Sequence, residues 1–109
     1  MVTRRHQRFA VAMPTTLVHQ NRFRHTGSTC DLSVKGCRVS SVITPFTGMQ
    51  VTLQLHVPGE DSPITINKAA IRWCGTHGIG LEFLDVAQQQ QHRLNQIIQK
   101  LDTKPATTS

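Results

Sequence analysis

The run Val51-Thr52-Leu53-Gln54-Leu55-His56-Val57 puts Val51, Leu53, Leu55 and Val57 on one parity and Thr52, Gln54 and His56 on the other. Successive side chains of an extended chain point to opposite faces, so this segment predicts a half-buried strand with one apolar face. Pro58-Gly59-Glu60-Asp61-Ser62-Pro63 follows it as a turn or exposed loop. Beyond the loop, Ile64 and Ile66 share one parity, while Ala69, Ile71 and Trp73 share the other. That one-residue change near Asn67-Lys68 predicts a β-bulge, a device that bends a strand round a barrel. Gly78 to Leu84 then reads as another strand, with Ile79, Leu81 and Phe83 facing one way.

Upstream, Phe9, Val11 and Met13 mark one face of a strand that Pro14 ends or bends. A more polar strand is predicted near Arg22 to Cys30, and another from Cys37 to Val42. Between them, Asp31 to Gly36 reads as a turn, because Asp and Ser bond to nearby backbone and Gly36 can supply a positive φ. Val86 to Leu101 differs in kind: Leu94, Ile97, Ile98 and Leu101 recur at helical spacing, and Asp85 is placed to cap the start. The Gln88 to Gln91 run fits a solvated helical face. Six short strands and one terminal amphipathic helix predict a small antiparallel barrel or sandwich, its open mouth or edge covered by the helix. The 109 residues suffice for one domain with a modest core. Residues 1–8 are expected to form a flexible polar arm, 9–101 the barrel and helix, and 102–109 a disordered tail.

The net charge of +6 is unevenly placed: residues 1–40 carry all of the excess, and residues 41–109 balance to zero. Six of the seven cations in that first part are Arg. A planar guanidinium pairs bidentately with phosphate or guanine and stacks on a base, which an ammonium does not. The bias therefore favours an anionic partner and, within that class, a nucleotide. Cys30, Cys37 and Cys74 are odd in number and unpaired in spacing, and neither a secretory signal nor a long apolar run is present. Together these features predict a reduced, cytoplasmic protein without a membrane partner, whose cysteines act as small buried hydrophobes. Cys74 and His77 have no second pair at zinc spacing, so a structural metal is not expected.

Two short motifs carry the chemistry. Arg4-Arg5-His6-Gln7-Arg8 is R-x-x-x-R, and Asp31-Leu32-Ser33-Val34-Lys35-Gly36 is D-x-S-x-x-G. Four extended peptide units allow Arg4 and Arg8 to stand up to about 13 Å apart, one on each side of a dinucleotide; Arg5 offers a further guanidinium. Guanine presents N1–H and N2–H donors on one edge, which suit a carboxylate or hydroxyl, and O6 and N7 acceptors on another, which suit Arg. Asp31 and Ser33 lie two residues apart and, if extended, face the same side. Gly36 then turns the chain without a Cβ to crowd a ligand.

In order and spacing these motifs resemble the PilZ domain family, bacterial receptors for cyclic di-GMP. Further resemblance lies in Ala70-Ile71-Arg72-Trp73 and in Gly78-Ile79-Gly80-Leu81-Glu82-Phe83, similar to the family's last two strands and expected to be core and packing residues. The resemblance implies an all-β fold, a six-stranded antiparallel β-barrel with a C-terminal α-helix. It also implies that Arg4, Arg5 and Arg8 bind phosphates and guanine bases, and that Asp31, Ser33 and Gly36 contact a guanine. Cyclic di-GMP is then the ligand, with no cofactor, and ordering of the arm signals to an unidentified downstream protein. Because Arg4 stands three residues after Met1, a stand-alone member is expected, as a monomer or weak homodimer.

Rival readings are fewer. An enzyme is not expected: the chain has no G-x-x-x-x-G-K-[ST] loop, no metal-ligand cluster and too few acids for a two-metal phosphodiesterase. A small basic barrel binding nucleic acid fits the charge. Against it, Tyr is absent, and the four Phe and one Trp fall mostly on apparent core parities, leaving few stacking platforms. A barrel of the same fold acting as a protein-interaction module without nucleotide is the other alternative.

Overall fold

The computed structural model describes residues 7–19, 22–41, 43 and 45–103. Six strands precede one helix: β1 (Phe9–His19), β2 (Phe23–Leu32), β3 (Gly36–Ser41), β4 (Gln50–Leu55), β5 (Ile64–Gly75), β6 (Gly78–Asp85) and α1 (Gln88–Thr103). The strands form a closed barrel in the order β1-β2-β3-β6-β5-β4, and every neighbouring pair is antiparallel. Closure comes from β4 returning to β1, with Thr15 opposite Leu55 and Val18 opposite Thr52. The barrel expectation is borne out, and the sandwich is excluded because all six described strands close into one ring.

Alternation fills the interior. Leu53, Leu55, Ile64, Ile66, Leu17, Leu32 and Val39 are all fully buried, and they come from five different strands. Leu94 and Ile97 of α1 join the same core, with Ile98 and Leu101 packed partly against it. Thr15 and Thr29 are buried too, and they satisfy each other through a hydroxyl–hydroxyl bond of 2.6 Å.

Several expectations need correction. Pro14 does not end β1; it stays in the ladder opposite Ser28, just after a register shift between Ala10 and Met13. Its carbonyl takes the His56 N–H at 2.9 Å. In a strand a residue's N–H and C=O point to the same side, so the missing donor falls where β1 runs past the end of β4. Helix α1 starts at Gln88, and the Gln91 N–H closes its first turn on the Ala87 carbonyl at 2.8 Å. Asp85 therefore does not cap the helix; it ends β6, opposite Lys68. The glutamine run is not wholly solvated either, because Gln90 Oε1 accepts the Thr65 N–H at 2.9 Å. This bond ties the helix start to β5.

The bulge predicted near Asn67-Lys68 is present in the β4–β5 ladder, where β5 takes three steps between Ile66 and Ala69 while β4 takes two between Leu53 and Val51. A second irregularity, between Ile71 and Trp73, sets two residues of β5 against one of β6. It reverses the parity beyond Ile71, so Trp73 lies on the outside of the barrel, 43% exposed, rather than in the core. The indole covers Gly80, where any Cβ would overlap the ring. Phe23 and Phe46 are also exposed, and Phe83 is the buried aromatic of the core. Of the cysteines only Cys37 is buried; Cys30 is half-buried and Cys74 exposed. Among the described residues no helix is long and apolar enough to cross a membrane.

Candidate functional site

Strand register brings the acidic and basic residues together. Leu32 and Cys37 pair across the β2–β3 ladder with both side chains in the core, so the next pair, Asp31 and Arg38, faces outward. Ala10 stands opposite Asp31 on the other side, which carries Arg8, just before β1, to the same face. Arg8 Nη1 donates to Asp31 Oδ1 at 2.5 Å, and Arg38 Nε donates to Asp31 Oδ2 at 2.9 Å. Each carboxylate oxygen thus has its own guanidinium. The contact with Asp31 also raises the Arg38 pKa, chiefly through the hydrogen bond; desolvation opposes the rise, and the negative charge of Asp31 adds a smaller lift.

Arg38 continues across the barrel. Its Nη1 donates to the His77 carbonyl at 2.8 Å, in the turn between β5 and β6. On β6 its register partner is Gly80, whose own partner on β5 is Trp73. The outer face therefore carries one lateral row: Asp31, Arg38, then Gly80 beneath the Trp73 indole. A carboxylate, two guanidinium groups and an aromatic plane are what a purine nucleotide's base edge, phosphate and π-face can use.

The remaining motif residues build the turn. Ser33 is buried, and its hydroxyl accepts the N–H groups of Lys35 and Gly36, both at 3.2 Å. It does not share the outer face with Asp31, because β2 ends at Leu32 and the chain is already turning. Gly36 does not take a positive φ; the glycines that do are Gly48, Gly59 and Gly78. Instead β3 crosses so close to β6 that a Cβ at Gly36 would overlap the Leu81 carbonyl oxygen. The structure thus unites Arg8 with Asp31 on one surface and sets Ser33 and Gly36 beneath it; Arg4 and Arg5 lie outside the described residues. Gln7 and Phe9 lead away from the site along a cleft of about 310 Å³ that Val34 and the α1 residues Asn95 and Ile98 also line.

Arg38 and Trp73 are the two surface residues that sequence reasoning missed. Arg38 was legible in principle: counting outward from the Ser33–Lys35 turn pairs it with Asp31. Trp73 was not, because its exposure depends on the second β5 irregularity.

A family model, the PilZ domain, matches residues 3–100. No curated protein matches the chain significantly. Among solved structures, the PilZ domain of CeSA from a cellulose-synthesizing bacterium is similar, at 20% identity and a TM-score of 0.68, over 88% of this chain and 98% of that one. The PilZ domain of YcgR from Escherichia coli, solved with c-di-GMP, is similar at 15% identity and a TM-score of 0.71, over 93% and 92% of the two chains. The Bacillus subtilis inhibitor of motility MotI/DgrA matches 96% of this chain with a TM-score of 0.72 and 18% identity, and the match spans 55% of its own length.

Proposed function

We propose, from the premise that this chain belongs to the PilZ domain family, that it is a cytoplasmic receptor for cyclic di-GMP and not an enzyme. The observation that carries this reading is the Asp31 carboxylate on the outer face, flanked by Arg8 and Arg38. The likeness to a domain solved with c-di-GMP supports the choice of ligand.

In this reading Arg8 exchanges its contact with Asp31 for the nucleotide. Its guanidinium, with those of Arg4 and Arg5, takes phosphate oxygens or guanine O6 and N7. The freed Asp31 oxygen accepts from guanine N1–H and N2–H. Ser33 and Gly36 serve by holding the turn that presents Asp31. No cofactor is required.

Capture by the arm also supplies a relay. The chain just before β1 runs beside α1, so ordering the arm over the barrel changes a surface shared with the helix. A downstream protein reads that surface, and binding energy offsets the entropy of fixing the arm.

Isothermal titration with cyclic di-GMP, using GTP and linear pGpG as controls, tests the reading. Saturable and selective binding is expected, weakening as salt is raised because phosphate contacts carry much of the affinity. Arg8→Ala should weaken it roughly ten- to hundredfold, the worth of one or two charge-assisted hydrogen bonds. No binding by a folded protein would instead leave the barrel as a nucleotide-independent interaction module.

A further inference from the structure

Asp31 is held differently on its two oxygens. Oδ1 is paired at 2.5 Å with Arg8, which immediately precedes β1. Oδ2 is paired at 2.9 Å with Arg38, which belongs to the barrel wall itself. Arg38 is anchored at a second point, the His77 carbonyl at 2.8 Å, so its guanidinium is braced between the β2–β3 ladder and the β5–β6 turn. One partner of the carboxylate stands outside the strands, and the other is fixed by the scaffold.

We propose that Arg38 is the positioning residue of this site: it holds Asp31 in place when Arg8 transfers to the nucleotide, and it thereby sets the preference for guanine. The assignment rests on the receptor reading above. Guanine is distinguished at its Watson–Crick edge by two donors, N1–H and N2–H; hypoxanthine keeps only the first, and adenine has neither. A carboxylate reads that pair only if its plane is fixed. With Arg38 in place, departure of Arg8 frees Oδ1 while Oδ2 stays anchored. Without Arg38, Arg8 is the remaining cation on Asp31, so the carboxylate competes with phosphate for the arm and turns freely once the arm leaves. A lysine restores the charge but not the planar two-point brace.

The test titrates wild type, Arg38→Gln and Arg38→Lys with cyclic di-GMP and with its inosine analogue, which lacks both exocyclic amino groups, and records a thermal melt of each protein. Wild type is expected to prefer cyclic di-GMP by about tenfold or more, the usual value of a hydrogen bond to a charged acceptor. Arg38→Gln should lose about tenfold on cyclic di-GMP but less than about threefold on the inosine analogue, so that the preference collapses. Arg38→Lys should recover only part of it. Equal losses on both ligands would reveal a merely structural role and overturn the assignment, as would unchanged binding in Arg38→Gln. If Arg38→Gln does not fold, Arg38→Lys decides: a wild-type preference in that variant overturns the assignment. Wild type that binds neither ligand overturns the receptor reading itself, and this assignment with it, a result separate from any failure confined to the variants.

Discussion

Gly36 illustrates how a motif residue can be required for a reason other than the one its motif suggests. The Leu81 carbonyl fills the space a side chain would need, and alongside it the Phe83 N–H donates to the Lys35 carbonyl at 2.8 Å. Gly36→Ala must push β3 away from β6 and is expected to cost about 1–3 kcal/mol, the range for overpacking a well-filled site. Chemical denaturation with an unchanged slope measures it. The D-x-S-x-x-G spacing made the glycine legible, but its partner lies in a strand far along the chain, so the cause was hidden. Asp31 was likewise legible as an acceptor, and Arg8 as a cation. That Asp31 has a second guanidinium, Arg38, follows from ladder register. Ser33 was placed on the ligand side because extension was assumed there; the turn buries its hydroxyl instead.

At the scale of elements, α1 shows how amphipathic spacing and specific contacts divide the work. Leu94 is fully buried, and Arg93 beside it donates to the carbonyls of Ser62 at 2.7 Å and Pro63 at 2.8 Å and pairs with Glu60. Leu94→Ala removes the central apolar contact between helix and barrel and is expected to destabilise by about 2–5 kcal/mol. The denaturation midpoint reads that loss, and helical circular dichroism reports whether α1 still docks. The apolar face of this helix was readable from three- and four-residue spacing. Its start was not, because the Gln90 contact with Thr65 depends on where the helix lands. β5 makes the same point: one irregularity was visible as a parity change, whereas the second moved Trp73 outward without leaving an apolar pattern beyond it.

At the scale of the whole molecule, barrel closure creates an interior that alters ionisation. Burial of the Cys37 thiol, with the Asp31 charge adding to it, pushes its pKa from 9.0 up to about 12. Between those values the unfolded chain has released the proton and the folded chain still holds it. Stability contributed by the neutral thiol is therefore complete below pH 9.0 and declines as pH rises towards about 12. Unfolding free energies at a series of pH values across that window should fall by up to about 1.4 kcal/mol per pH unit, and Cys37→Ala should flatten the decline. The three cysteines looked equivalent in sequence, and only closure made one inert and left another exposed. What the sequence by itself determined was the local grammar: alternation for strands, helical spacing for α1, an excess of arginine near two motifs, and through them the fold class. Those signals arise from neighbours a few residues apart, which one-dimensional spacing records. Only the tertiary structure decided that Arg38 braces Asp31, that Leu81 demands a glycine at position 36, and that Trp73 faces out. Each depends on register between strands distant in sequence, and a single bulge is enough to reverse which side of the wall a residue occupies.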